Sequence, residues 1–189
     1  MQISASFAES IVDKAVAILR SGDESLFGAL DTLPAPIYLT DAQGVIRYFN
    51  EACINFAGRT PVVGQDRWCV TWKLYTEVGD FLPHDRCPMA EAIVTRQSVR
   101  GVIAVAERPD GTRVTFMPYP TPLFAPDGTF RGAINILIDV TDRRQAEALR
   151  EQAERCRRLS RSVNDPQAAD ALRHLGEEYD AKAHLLDSQ

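Results

Sequence analysis

Two Asp-Gly turns sit between three β-rich runs: Gly101 to Glu107, then Pro109-Asp110-Gly111, Val114 to Leu123, then Pro126-Asp127-Gly128, and Phe130 to Asp139. Asp-Gly between such runs is a strong hairpin signal, because the glycine accepts the positive φ that a tight turn needs. Three consecutive antiparallel strands are therefore expected. Upstream, Ile37 to Thr40 and Val45 to Phe49 flank Asp41-Ala42-Gln43-Gly44 and read as a further hairpin. Two strands, several short helices and then three strands exclude a doubly wound fold, which alternates strand and helix regularly. The expectation is an α+β fold: a five-stranded antiparallel sheet with short helices on one face.

The helices are read from spacing and caps. Ile11, Ala15, Ile18 and Leu19 repeat at helical spacing before Ser21-Gly22, giving an amphipathic N-terminal helix. Asp23 can cap a second short segment with Leu26, Phe27 and Leu30 on one stripe, ended by Leu33-Pro34. Asn50 is placed to cap Glu51 to Ala57, and Pro88 opens a helix to about Arg96. Residues 58–85 are poorly periodic.

From Asp142 onward 19 of 48 residues are charged, against 28 in the first 141, so the end of the chain reads as exposed helix. Its apolar positions Ala146, Leu149, Ala153, Cys156, Ser160 and Val163 step by three and four. Asn164-Asp165-Pro166 breaks the helix, and Ala168, Leu172, Leu175, Tyr179, Lys182 or Ala183, and Leu186 form a second stripe. A helical hairpin or a coiled coil shared between chains would bury both. Arg155, Arg157, Arg158 and Arg161 have Glu147, Glu151 and Glu154 within a turn or so and read as a solvated ion-pair face. The expected organisation is an N-terminal helix over 1–22, a core over 23–141 and a charged helical extension over 142–189.

With 21 basic and 26 acidic side chains, the net charge of -5 repels a phosphate backbone and argues against nucleic acid as a partner. The longest uncharged run, Val114 to Pro126, is too short for a membrane helix and holds four prolines. The start of the chain lacks the basic and apolar blocks of a secretory signal, so a cytoplasmic protein with reduced thiols is expected. Cys53, Cys69, Cys87 and Cys156 contain no Cys-x-x-Cys pair, which fits neither a disulfide framework nor a zinc ribbon. No nucleophile-base pair, Gly-rich phosphate loop or metal-spaced cluster is recognisable, and 189 residues leave little room for a catalytic domain beside the core. The expectation is not an enzyme.

This strand order, the stretch from Leu33 to Asn50, the Asp127-Gly128-Thr129-Phe130-Arg131-Gly132 turn and the closing Asp139-Val140-Thr141-Asp142-Arg143 resemble the PAS domain family. The resemblance covers roughly 23–142. It implies a sensor core with a cleft between helices and sheet that in many members holds a small ligand. It also implies a strand-ending Asp-Val-Thr that joins the core to an output helix, with Asp139 and Thr141 as the signal relay and Thr141 as helix cap. Expected partners are a second copy of the chain and signalling proteins of the two-component kind, such as histidine kinases or response regulators. The function expected is that of a non-catalytic sensor or adaptor relaying through its terminal helices, with a haem- or other cofactor-binding sensor as the alternative and a small enzyme as the second.

Side-chain alternation places candidates in the cleft. If Ala133, Asn135 and Leu137 face the helices, then Ile134, Ile136 and Ile138 face outward and need a cover. The N-terminal helix or a second subunit is the obvious cover, and a homodimer through Ile11, Ala15, Ile18, Ile134, Ile136 and Ile138 is expected. The ligand-binding candidates are Phe49, Cys53, Phe56, Trp72, Met89, Ile93, Phe116, Asn135 and Leu137, most of which are equally plain core residues. Asn135, set between isoleucines, must bond backbone or meet a ligand, because an unpartnered buried amide is costly.

The flavin-binding branch of the family carries Gly-Arg-Asn-Cys-Arg-Phe and a glutamine two residues before the strand-ending aspartate. Here the stretch is Gly64-Gln65-Asp66-Arg67-Trp68-Cys69 and the glutamine position is Leu137, which argues against flavin photochemistry. His84 and Cys87 are the residues that would ligate a haem iron, yet His84 stands beside Asp85 and Arg86 and reads better as a surface-loop residue. Zinc on His84, Cys87 and Cys69 would have three ligands at most. His174 lacks the proline-ended box of a phosphoacceptor and reads as an exposed helix histidine.

Overall fold

A computed structural model describes residues 9, 10, 13, 27–33 and 35–188. Ile11, Ala15 and Ile18 of the expected N-terminal helix lie outside the described residues. The chain divides into two compact units, with the boundary between Asp139 and Val140.

The first unit contains α1 (Phe27–Asp31), β1 (Ile37–Asp41), β2 (Ile46–Phe49), α2 (Glu51–Ala57), β3 (Lys73–Thr76), a 3-10 turn (His84–Arg86), α3 (Pro88–Thr95), β4 (Ala104–Glu107), β5 (Arg113–Pro118), β6 (Thr121–Phe124) and β7 (Phe130–Asp139). The strands form one antiparallel sheet in the order β2-β1-β7-β5-β4-β3, and β6 pairs with β7 beyond β5. The sheet therefore has seven strands, two more than expected, for two physical reasons. Val114 to Leu123 is divided where Tyr119-Pro120 bends the chain, since a proline cannot donate to the ladder. β3 arises inside the poorly periodic stretch by pairing its whole length with β4, from Lys73 opposite Glu107 to Thr76 opposite Ala104.

All three expected turns form. At each, an aspartate carboxylate takes an amide proton two residues on, from Gln43 to Asp41, Thr112 to Asp110 and Thr129 to Asp127, each at 2.9 Å. Gly44 has φ +80, and a Cβ there would lie 2.3 Å from the Trp68 ring, so no other residue fits. Gly132 is more constrained still: a Cβ would come within 1.9 Å of the Thr40 carbonyl oxygen where β7 crosses β1.

Asn50 stands at the N-cap of α2, but its side chain does not cap the helix. Instead its carboxamide accepts from the Ile37 amide at 2.9 Å and donates to the carbonyls of Ala35 at 2.8 Å and Leu30 at 3.3 Å. Burial explains the choice: at 1% exposure the amide must satisfy both ends, and the entry to β1 offers more partners than a helix terminus does.

The second unit is a hairpin of α4 (Thr141–Ser162) and α5 (Pro166–Asp187). Ala146, Ala153, Cys156, Gly176 and Ala183 are buried, while Leu175, expected on the stripe, is exposed and the adjacent Gly176 is buried in its place. Ion pairs Arg150 to Asp187 and Arg157 to Asp180 run across the hairpin, so the helices are antiparallel, and Arg158 pairs along its own helix with Glu154. Asp165 caps α5 by accepting the Gln167 amide at 3.0 Å.

The joint between the units departs from expectation at Thr141. Val140 is the N-cap residue of α4 and its carbonyl takes the Arg144 amide at 2.9 Å, which puts Thr141 inside the first turn instead of at the cap. A single residue separates the end of β7 from the start of α4.

Candidate functional site

The cleft between α2, α3 and the sheet is built from alternate residues of each strand. Tyr38 from β1, Ala104 and Ala106 from β4, Val114 and Phe116 from β5, and Ala133 and Leu137 from β7 face Cys53 and Phe56 of α2 and Met89, Ala90 and Ile93 of α3 in one cluster. Phe56 meets Phe116 edge to face, with ring centroids 5.2 Å apart, and so closes the space between α2 and β5. Of the nine ligand-binding candidates, Cys53, Phe56, Met89, Ile93, Phe116 and Leu137 belong to this cluster and Phe49 packs against it.

Trp72 does not. It is 45% exposed, with the Lys73 ammonium 4.1 Å from its ring centre, and the indole packed against the cluster is that of Trp68. The reason is local: the β3 ladder turns Lys73 and Tyr75 to one side and Leu74 inward, while Cys69, Val70 and Thr71 fill the core ahead of it.

Asn135 is 2% exposed and occupied at both ends. Its amide nitrogen donates to the Tyr38 hydroxyl at 3.0 Å, and its oxygen accepts from the Tyr119 amide at 3.0 Å, which also reaches the Ile136 carbonyl at 2.9 Å. The Tyr38 hydroxyl donates in turn to the Trp68 carbonyl at 2.9 Å. A buried line thus runs from the Trp68 loop through Tyr38 and Asn135 to the bend between β5 and β6. Tyr38 is not among the expected site residues, since a tyrosine in the run Ile37-Tyr38-Leu39 carries no signal of its own.

Ile134, Ile136 and Ile138 lie on the other side of β7 and are 0%, 0% and 3% exposed in the single chain. The apolar face expected to need a cover is buried.

Electrostatics make the core a poor place for reaction. Burial pushes the Cys53, Cys69 and Cys87 thiols up, Cys87 to about 12, and the thiol is held in its unreactive form. Burial, then the neighbouring Cys69 and Cys87, raises Tyr38 as well. His84 is not the surface-loop residue expected. It starts the 3-10 turn, half-buried, and its Nε2 is buried with no hydrogen-bond partner among the described residues. Burial and then the Arg59 guanidinium lower its pKa, and Arg59 itself is paired with Asp66 at 2.5 Å. Among the described residues no group of three or more His, Cys, Asp or Glu is arranged to hold a metal ion, and no helix is long and apolar enough to cross a membrane.

No curated protein matches the chain. Among solved structures, an RNA-binding light-oxygen-voltage receptor is 21% identical with a TM-score of 0.49, covering 62% of this chain and 33% of its own. The chain thus spans about a third of that receptor's length. The Rhodobacter sphaeroides LOV protein is 13% identical with a TM-score of 0.48, covering 88% of this chain and 99% of its own. The LOV domain of the Erythrobacter litoralis EL346 blue-light activated histidine kinase is 21% identical with a TM-score of 0.42, covering 58% and 98%. The family described as PAS fold matches residues 30–145, which take in the whole sheet, the helices over the cleft and the joint to α4, and the chain belongs to that family.

Proposed function

We propose that this chain is a non-catalytic signal-transduction domain that senses a small ligand or serves as an adaptor, and passes its state to partner proteins through its terminal helices. The observation that carries this reading is the path of β7. Its Ala133 and Leu137 face the cleft cluster, its Asn135 holds the polar line, and one residue after Asp139 the same chain is helical for 22 residues. A change of packing that shifts β7 along the sheet has no flexible linker in which to dissipate before the first turn of α4.

Flavin photochemistry finds no support in the residues. The position of the family's motif cysteine is Arg67, an exposed residue bridged to Val45 at the β2 entry, and the glutamine position is Leu137. Haem ligation by Cys87 or His84 is the weaker alternative, because Cys87 is enclosed in the cluster and His84 stands against the pair of Arg59 and Asp66.

Leu137→Val tests the relay, since it trims the cleft face of β7 by one methylene at a cost of about 1 kcal/mol and leaves the fold intact. Hydrogen exchange at residues 143–149 should be faster in this variant than in the unmodified protein. Two glycines inserted between Asp139 and Val140 should remove that difference. Equal protection at 143–149 with and without the substitution would show that core and helix are uncoupled. The absorption and mass spectra of the natively purified protein decide whether a small molecule occupies the cleft.

A further inference from the structure

α3 ends at Arg96, which has φ +57 and ψ +31, the left-handed conformation that helix ends usually assign to glycine. A side chain kept there at a backbone cost is a pointer to use of that side chain. The guanidinium lies 5.5 Å above the centre of the Phe130 ring, and among the described residues no carboxylate pairs with it. The neighbouring acids are engaged elsewhere: Asp41 with Arg47 at 2.7 Å and Asp127 with the Thr129 amide at 2.9 Å.

Beside Arg96 is a groove of about 520 Å³ between the turn after β1, the turn before β7 and the end of α3. Ala42, Gln43, Ile93, Arg96, Thr129 and Phe130 line it. Most of its lining is polar, and Ile93, a member of the cleft cluster, and Phe130, which packs against that cluster, give it an apolar side next to the core. Thr40, two residues before Ala42, is 4% exposed, and its hydroxyl has no hydrogen-bond partner among the described residues.

We propose that this groove binds a small carboxylic acid with an apolar body. Arg96 takes the carboxylate, with the Gln43 side chain available as a second donor, and Ile93 and Phe130 receive the apolar part. Phe130 already stacks the guanidinium from one side, which fixes the fork of N–H donors with little further loss of freedom. The site stands independently of the signalling reading.

Octanoate is the probe, with octanamide and acetate as controls, and amide chemical shifts on the full chain as the readout. Octanoate should move the resonances of Ala42, Gly128 and Thr129 saturably, and octanamide and acetate should bind at least about tenfold more weakly. Arg96→Gln should abolish the octanoate response. Arg96→Gly should do the same while leaving the protein at least as stable, because it relieves the left-handed backbone. Octanoate binding retained in Arg96→Gly, groove resonances that do not move, or acetate binding as tightly as octanoate would each overturn the proposal.

Discussion

Tyr38→Phe leaves the Asn135 amide without its acceptor and the Trp68 carbonyl without its donor, both inside the protein. Asn135→Leu leaves less behind: the Tyr119 amide keeps the Ile136 carbonyl, and the Tyr38 hydroxyl keeps the Trp68 carbonyl. Stranded buried groups cost about 1–3 kcal/mol, whereas a hydrogen bond removed without stranding its partner costs about 0.5–1.5 kcal/mol. The phenylalanine variant should therefore lose more stability in urea than the leucine variant, and the reverse order would mean that Asn135, not Tyr38, anchors the line. At this scale the sequence exposed Asn135, because a carboxamide between isoleucines is an anomaly in any strand. It hid Tyr38, because tyrosine is common in half-buried strands and nothing distinguishes one that reaches a carbonyl thirty positions on in the Trp68 loop. It misplaced Thr141, because the backbone of Val140 enters the helix one residue early and no side-chain pattern records that.

Among the elements, β7 was legible from Phe130 to Asp139, since an Asp-Gly turn marks its start and alternation holds along it. β3 was not, because Lys73-Leu74-Tyr75-Thr76 carries only one fully inward side chain and becomes a strand through its pairing with β4, a long-range fact. In the hairpin the apolar stripes predicted two paired helices but not where their backbones come close. One close approach falls at Gly176, where a Cβ would stand 3.3 Å from the Ala153 carbonyl oxygen and 3.6 Å from the Cys156 Cβ. A glycine inside a helix costs about 1 kcal/mol relative to alanine, so the contact it permits has to offset that. Gly176→Leu should force α4 and α5 apart, with a loss of about 1–3 kcal/mol from overpacking. Hydrogen exchange should then quicken near Ala153, Cys156 and Ala183 while the amides of β1 and β7 keep their protection. Unchanged exchange in the hairpin would show that the helices have room to spare at this point.

For the whole molecule the groups that titrate on the acid side of neutrality pull stability in one direction. Hydrogen bonds from Arg113 and Lys73 hold Glu107 below the usual carboxylate range, and those from Arg143 and Arg144 do the same for Glu147. Asp41 is raised by burial, but the Val45 amide, Arg47 and the Gln43 amide outweigh this and bring it down. His84 is lowered from 6.5 by burial and then by Arg59. A depressed pKa in the folded state, for an acid or a base, means that the unfolded chain binds more protons, so stability falls as pH falls through the window. For His84 that window opens at its ordinary value of 6.5, well above those of the carboxylates at 4.5 and 3.8. The loss should therefore come in two stages, the first below about pH 6.5 as an imidazolium is forced into a site where Nε2 has no acceptor among the described residues. Urea midpoints measured from pH 8 to pH 3 should show both stages. In His84→Gln the first stage should disappear and the second remain, since glutamine cannot take up a proton and the carboxylate contacts are untouched. Parallel curves for the two proteins between pH 7 and pH 5.5 would mean that protonation of His84 is accommodated in the fold and that the buried Nε2 carries no pH dependence.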